Sequence, residues 1–198
     1  MTGSFRIGAR WCLTVAAGER HDERMASALL VIDIQESFRQ RPSWRVVSTP
    51  DIAERGARLV EAARARGDLV VWVLHTEPGS GTAFDPESGH IRLIEPLAAK
   101  PGEPVLTKTS RNAFTTTNLQ QILTERGIRE LTICGIQTEQ CCETTARLAG
   151  DLGYDVTFVT EATATFPIPH RDTPAGRSLE EVLADTRTLG TDEIITRT

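Results

Sequence analysis

The chain has 198 residues, of which 39% are hydrophobic and 25% are charged, and its formal net charge is −5. This length and hydrophobic content predict one main domain with a full-sized core. The acidic balance, with arginines scattered among glutamates and aspartates, argues against a nucleic-acid partner. The longest apolar runs, ALLVI and LVVWVL, are far shorter than the roughly 20 residues of a membrane span. We therefore expect a soluble protein with no membrane partner.

Four cysteines lie unevenly along the chain, at Cys12, Cys134, Cys141 and Cys142. No two of them have CxxC spacing, so the pattern predicts neither a disulfide framework nor a structural zinc site. Free thiols are typical of a reducing cytosol, and we expect a cytoplasmic protein.

The first 24 residues differ from the rest of the chain. Their apolar patch, WCLTVAA, is short for the core of a signal peptide, and no clean small-residue cleavage site follows it. We expect residues 1–24 to be a disordered extension and residues 25–198 to form the domain. The first convincing strand begins just after Met25, which makes this residue a candidate for the natural start.

From residue 26 onward, strand patterns alternate with helix patterns. In chain order we predict a strand at 26–33, a helix at 48–67, a strand at 69–75, a Gly- and Pro-rich loop or lid at 76–90, a strand at 103–108, a helix at 115–127, a strand at 129–136, a helix from Thr138 to Gly153, a strand at 154–160, a helix at 178–190 and a strand at 193–198. In the first helix, Thr49 is the expected N-cap and Pro50 the first helical residue. The alternation indicates βαβ units and predicts a three-layer α/β/α sandwich around a central, mostly parallel, Rossmann-like sheet.

Residues of several chemical types follow the predicted strands. They are Asp33 and Gln35 after the first strand, His75 after the second, Lys108 after the third, and Ile136, Gln137 and Cys141 in the turn after the fourth. Ligands of parallel sheets bind beyond the carboxyl ends of the strands, so a carboxylate, an ammonium and a thiol meet at one edge. These are the parts of a nucleophilic hydrolase. Each also has an ordinary structural alternative, as a turn cap, a solvated lysine or a buried cysteine.

The two adjacent cysteines, Cys141 and Cys142, lie in the predicted first turn of the helix that Thr138 caps. Unpaired backbone N–H groups at a helix N-terminus favour the thiolate and lower a thiol pKa from about 8.5 toward neutrality. They also suit an oxyanion. Helical periodicity places the two thiols on different stripes and does not choose between them, and a structural role remains the alternative for each.

Three blocks of the sequence resemble the signature of the isochorismatase-like cysteine hydrolases. They are LLVIDIQESF, TKTSRNAFTTTNL and GIQTEQCCETTARLAGDLGYDVTFVTEATAT, and their order and spacing match the family from residue 26 onward. The resemblance implies a catalytic triad of Asp33, Lys108 and Cys141. Cys142 then occupies a position that is usually apolar.

The resemblance also implies how the triad acts. Lys108 keeps Asp33 ionised and favours the thiolate of Cys141, while Asp33 takes the thiol proton and returns it to the leaving group. A cis peptide bond between Ile136 and Gln137 directs the N–H groups of Gln137 and Cys141 at the oxyanion. Water then releases the acyl-enzyme.

Departures from the family pattern narrow the expected chemistry. The nicotinamidase branch binds a metal through an Asp-x-His pair after the second strand and a further histidine, whereas this chain has His75, Glu77 and a distant His90. We therefore expect no metal and no cofactor. The branch that cleaves a vinyl ether does not need the thiol, so Cys141 favours amide, imide or ester hydrolysis. Vinyl-ether hydrolysis is the first alternative, and a redox or binding module with a regulatory disulfide is the second.

The substrate is expected to be a small molecule held largely by aromatic side chains. The candidate substrate-binding residues are Gln35, Phe38, Trp44, His75, Phe84 and Phe114. Trp44 and Phe84 lie in predicted loops and are the better candidates, since core packing is the ordinary alternative for Phe38 and Phe114. The resemblance implies a homodimer or homotetramer.

Overall fold

The chain folds around five strands joined by helices, and the computed structural model describes residues 26–168. The strands of these residues are β1 (Ser27–Ile32), β2 (Leu69–His75), β3 (Val105–Lys108), β4 (Glu130–Ile136) and β5 (Asp155–Ala164). The α-helices are α1 (Glu36–Arg39), α2 (Ile52–Arg66), α3 (Leu119–Glu125) and α4 (Glu143–Asp151). The predicted N-terminal extension, the helix at 178–190 and the strand at 193–198 lie outside the described residues.

The five strands form one parallel sheet in the order β3-β2-β1-β4-β5. The chain moves outward from β1 through β2 to β3 and then crosses back to β4, on the other side of β1. The strand order therefore reverses between β1 and β4, and the crevice at such a switch point is where parallel sheets bind ligands.

Each face of the sheet carries its own apolar core, which confirms the predicted three-layer α/β/α architecture. Successive residues of a strand point to opposite faces, so Leu29 and Val31 join the core beneath α2, while Leu30 and Ile32 join the core beneath α3 and α4. Burial on both faces explains why β1 is an unbroken apolar run. Within residues 26–168, no helix combines the length and the apolar character needed to cross a bilayer.

Two helices begin later than the sequence predicts because side chains at their expected starts bond elsewhere. Thr49 was the predicted N-cap of α2, but its hydroxyl donates to the carbonyl of Thr163 at 2.8 Å, and the helix starts at Ile52. In α3, the hydroxyl of Thr117 donates to the carbonyl of Ala113 at 2.6 Å, and the helix starts only at Leu119. Hydroxyl bonds of this kind compete with helical ones.

A partly buried polar contact fixes the approach to β3. Trp72 Nε1 in β2 donates to Glu103 Oε2 at 2.7 Å, and Arg64 Nε in α2 donates to Glu103 Oε1 at 2.7 Å. Burial acts to raise the pKa of Glu103, but the hydrogen bonds from Arg64, Lys100 and Trp72 prevail and lower it to about 2. Glu103 is therefore ionised throughout the ordinary pH range and holds the segment that leads into β3.

The close approach of β4 to β1 requires a glycine. Gly135 has a φ of +140°, and a Cβ atom at this position would lie 1.9 Å from the carbonyl oxygen of Ile32. Neither backbone can move away without breaking the hydrogen bonds that pair β1 with β4. The strand ends that carry the polar residues after β1 and β4 therefore depend on this glycine.

Substitution of Gly135 by alanine should destabilise the protein by more than about 4 kcal/mol, because the added methyl group overlaps backbone atoms of β1. Thermal unfolding monitored by circular dichroism measures the loss. Gly150→Ala is the matched control, since this glycine lies in α4 and an added Cβ meets nothing within 4 Å. It should stabilise by about 0.5–1 kcal/mol. Equal effects of the two substitutions would contradict this account.

Candidate active site

The carboxylate of the site stands directly after β1. Asp33 is fully buried, and its backbone N–H donates to the carbonyl of Val73 in β2 at 2.8 Å. It has a φ of +54°, in the left-handed region, which turns the chain sharply away from the strand. Backbone strain of this kind clusters at functional sites.

The ammonium of the site comes from the last residue of β3. Lys108 pairs in register with His75 of β2, and its side chain is fully buried. Its Nζ lies 2.7 Å from Asp33 Oδ2 and 3.3 Å from Cys141 Sγ. The structure thus brings the three residues of the predicted triad together, with Lys108 in contact with the other two.

The thiol lies in a π-helical turn, Thr138–Cys142, and not in the predicted first turn of an α-helix. Cys142 N donates to the carbonyl of Gln137 at 3.2 Å, five residues back. The predicted cap is also wrong, because the hydroxyl of Thr138 donates to Thr163 Oγ1 at 2.9 Å. This turn presents Cys141 to a cavity and buries Cys142 in the core.

The peptide bond between Ile136 and Gln137 is cis, at the position that the resemblance implies. It joins the end of β4 to the π-helical turn. Gln137 lines the same cavity as Cys141, whereas Ile136 is fully buried in the core. The part played by these residues in binding an oxyanion stays a prediction.

Burial controls the protonation of the site. It raises the pKa of the Cys141 thiol to about 12, and the negative charge of Asp33 adds to this effect. The expectation of a thiol pKa lowered toward neutrality is therefore wrong. Burial also raises the pKa of Asp33, against the lowering effect of Lys108. Because Asp33 Oδ1 has no hydrogen-bond partner among the described residues, it is free to accept a proton.

The cavity above Cys141 has a volume of about 1130 Å³. Three of the predicted substrate-binding residues line it, namely Phe38, His75 and Phe84. The rings of Phe38 and Phe84 meet edge to face with centroids 4.9 Å apart, and the ring of His75 lies 5.8 Å from that of Phe84. These rings form one apolar wall.

Three other predicted substrate-binding residues do not line this cavity. Gln35 uses its amide within the protein, since Nε2 donates to the carbonyl of His75 at 2.9 Å and Oε1 accepts from His75 N at 2.7 Å. Phe114 stacks on Tyr154 in the core, with centroids 5.9 Å apart. Trp44 packs against the core in a 3-10 turn. Gln35 therefore bonds the backbone of His75, and the side chains of the two aromatic residues pack with the core.

Polar residues that the sequence did not single out also line the cavity. They come from the segment directly after Lys108 and from the turn around Cys141, and they are Thr109, Ser110, Arg111, Asn112, Gln140 and Thr144. Their positions beside two triad residues were the available signal. Arg41, which follows α1, also lines the cavity.

The residues considered for a metal site do not assemble into one. His75 Nε2 lies 3.3 Å from Glu77 Oε1, and His90 does not line the cavity. Among residues 26–168, no group of three histidine, cysteine, aspartate or glutamate side chains is placed to hold a metal ion.

Comparison with known proteins identifies the family. The isochorismatase domain matches residues 27–188. The chain belongs to the isochorismatase family. It is an isochorismatase-family hydrolase, and the predictions of the family and of an enzyme are confirmed.

The similar proteins include named hydrolases. A streptothricin hydrolase of Streptomyces noursei is 38% identical over 148 residues, which cover 74% of this chain and 57% of the relative. Nicotinamidase 3 of Arabidopsis thaliana is 35% identical over 158 residues, covering 75% of this chain and 78% of the relative. A solved isochorismatase-family structure from Chromobacterium violaceum ATCC 12472 is 28% identical, with a TM-score of 0.70 and coverage of 86% of this chain and 92% of its own. The chain thus spans little more than half of that streptothricin hydrolase.

Replacing Lys108 by methionine should destabilise the protein by about 3–5 kcal/mol, since it leaves the buried Asp33 without its cation. Asp33 is then protonated in the folded protein up to a higher pH than its ordinary pKa of 3.8. At a pH above the ordinary pKa of the unfolded chain but below the raised pKa of the folded variant, the folded state keeps a proton that the unfolded state has released. The free energy of unfolding therefore falls as pH rises through this range. Urea unfolding should show a larger deficit at pH 8 than at pH 5.

The double variant Asp33→Asn with Lys108→Met is the control for this titration. It has no carboxyl group to ionise, so its deficit relative to the parent should change much less between the two pH values. A pH-independent deficit in the single variant would show that Asp33 does not depend on Lys108.

Proposed function

We propose that this protein hydrolyses an amide, imide or ester bond of a small metabolite, with Cys141 as the nucleophile. One observation carries the proposal. Lys108 Nζ contacts both Asp33 Oδ2, at 2.7 Å, and Cys141 Sγ, at 3.3 Å, beside a cavity large enough for a small metabolite. A nucleophile and a base that both contact one cation are parts that acyl transfer uses.

The protonation states favour a concerted first step. With a pKa of about 12, Cys141 is a neutral thiol at pH 7. Asp33 accepts the thiol proton at the moment when sulfur attacks the carbonyl carbon, and the raised pKa of Asp33 makes it a stronger base. The ammonium group of Lys108 contacts both groups and stabilises the negative charge that moves from Asp33 to sulfur and on to the substrate oxygen.

The second half of the reaction returns the proton. Asp33 protonates the leaving nitrogen or oxygen as its bond to the acyl carbon breaks, which leaves a thioester on Cys141. Water then attacks the thioester and passes a proton to Asp33, which returns it to sulfur. The backbone N–H groups of Gln137 and Cys141 are the proposed donors to the oxyanion in both halves.

The names of the relatives support hydrolysis of a small molecule. One relative is a streptothricin hydrolase and another a nicotinamidase, and the second name denotes cleavage of an amide. The match to the isochorismatase domain keeps vinyl-ether hydrolysis as the second candidate. A redox module is disfavoured, because Cys134, Cys141 and Cys142 are all buried free thiols. A cytoplasmic location and a homodimeric or homotetrameric state stay predictions.

Replacement of Cys141 by alanine should lower kcat/KM by about 10³-fold or more, because it removes the nucleophile. Hydrolysis of nicotinamide, streptothricin and p-nitrophenyl acetate by the purified protein provides the assay. Cys142→Ala is the matched control, since the neighbouring thiol is fully buried and does not line the cavity. Activity that survives Cys141→Ala but is lost in Asp33→Ala would establish the vinyl-ether type of chemistry instead.

The rate should rise with pH on the acid side, with an apparent pKa above 3.8, because Asp33 must be ionised to accept the thiol proton. It should then remain level through pH 9, since the thiol itself ionises only near pH 12. A profile of kcat/KM between pH 4 and pH 9 tests this shape. A rate that climbs between pH 8 and pH 9, where an ordinary thiol ionises, would show that the free thiolate is the reacting species.

A further inference from the structure

The cavity is lined by two chemically different sets of side chains, and this difference bears on the substrate. Phe38 and Phe84 provide the apolar wall, with ring centroids 4.9 Å apart. The rest of the lining includes hydroxyl and amide side chains, together with Arg111. A substrate that fills this space meets both apolar and polar side chains beside Cys141.

Arg111 is held beside the nucleophile with most of its hydrogen-bonding groups unused. Its Nε donates to Gln140 Oε1 at 3.0 Å, and Gln140 directly precedes Cys141 in the chain. Within residues 26–168, the two terminal amino groups of Arg111 make no hydrogen bond and no ion pair. A planar guanidinium in this state matches the two oxygens of a carboxylate.

A second cationic side chain, that of Arg41, lines the same cavity. Its guanidinium carbon lies 6.0 Å from the ring centroid of Phe38 and 5.7 Å from that of Phe166. The guanidinium thus makes cation–π contacts with two rings, of which Phe38 lines the cavity, and it forms no ion pair with any described residue. Arg41 therefore adds positive potential to the cavity.

The remaining charges of the cavity do not cancel these two arginines. Lys108 and Asp33 neutralise each other in a buried ion pair. Glu77 is the one carboxylate among the described lining residues, and it lies 3.3 Å from His75 Nε2. The cavity is therefore positive on balance, in a chain whose formal net charge is −5. Such a local excess attracts anionic ligands.

We propose that the substrate carries a carboxylate that binds to the terminal amino groups of Arg111 while its amide bond lies above Cys141. This inference rests on the proposed function and adds the substrate class, a small amide with a separate carboxylate. The reaction takes one water, breaks the amide C–N bond, and yields a second carboxylate and ammonia or an amine. Both carboxylates of the product then lie in the positive cavity.

Binding of two matched compounds tests the proposal without any turnover. Glutaramate is the monoamide of a five-carbon dicarboxylic acid, and glutaramide is its neutral diamide. Calorimetric titration of each into the Cys141→Ala variant measures affinity on a protein that lacks the proposed nucleophile. Glutaramate should bind at least tenfold more tightly than glutaramide, and added salt should reduce the difference.

Variants at two arginines complete the test. Arg111→Gln in the Cys141→Ala background should bring the two affinities within about twofold of each other, and Arg111→Lys should retain part of the preference because it keeps the charge and loses the planar fork. Arg126→Gln is the matched control, since Arg126 donates to the carbonyl of Ile122 in α3 and does not line the cavity. It should leave the preference unchanged.

Equal binding of the two compounds, including the absence of binding by both, would overturn the carboxylate site. A preference that persists in Arg111→Gln would also overturn it. A failure of the proposed function would be seen differently, because Cys141→Ala would then hydrolyse the substrate at the rate of the wild-type protein. The two results are read from separate proteins and separate assays.

Discussion

The buried ion pair between Lys108 and Asp33 is the constraint on which the rest of the site depends. Both side chains are fully buried, and removing two charges from water costs several kcal/mol for each ion. The pair is tolerable only while Nζ and Oδ2 remain in contact, so the ends of β1 and β3 must keep their relative positions. Since apolar residues would fill the same space at no greater cost, the pair is better explained by chemistry than by stability.

That constraint reaches through the whole sheet. β2 lies between β1 and β3, and its register sets Ile32 opposite Val73 and Lys108 opposite His75. The amide of Gln35 bonds both the N–H and the carbonyl of His75, which ties the chain after β1 to the end of β2. Strand register therefore sets the relative positions of Asp33 and Lys108, while the π-helical turn after β4 places Cys141.

Much of this arrangement was accessible from the sequence because its main signals are local. Apolar runs identify strands that are buried on both faces, and the polar residue at the end of each run identifies the edge where ligands bind. Asp33, Lys108 and Cys141 were found in this way and through the resemblance to the family. No knowledge of the packing was needed to place them at a common edge.

The errors share a physical cause, which is that tertiary contacts displaced local preferences. Thr49 and Thr138 have good capping side chains, but both donate to groups of Thr163 in β5. The pKa of Cys141 follows its burial and the nearby charge of Asp33, neither of which the helical position alone reveals. Phe114 and Phe38 are the same residue type next to signature residues, and only the packing separates core from cavity wall.

The position of Lys108 on a short edge strand has a consequence for how activity is lost. Within the described sheet, β3 has four residues and pairs with β2 alone, and Val105 at its start is 51% exposed. Edge strands with few buried contacts open locally at a lower free energy than the strands at the centre of a sheet. Detachment of β3 would withdraw Lys108 while β1, β2 and β4 remain paired. Amide hydrogens of β3 should then exchange faster than those of β1, and inactivation by heat should precede the unfolding of the core.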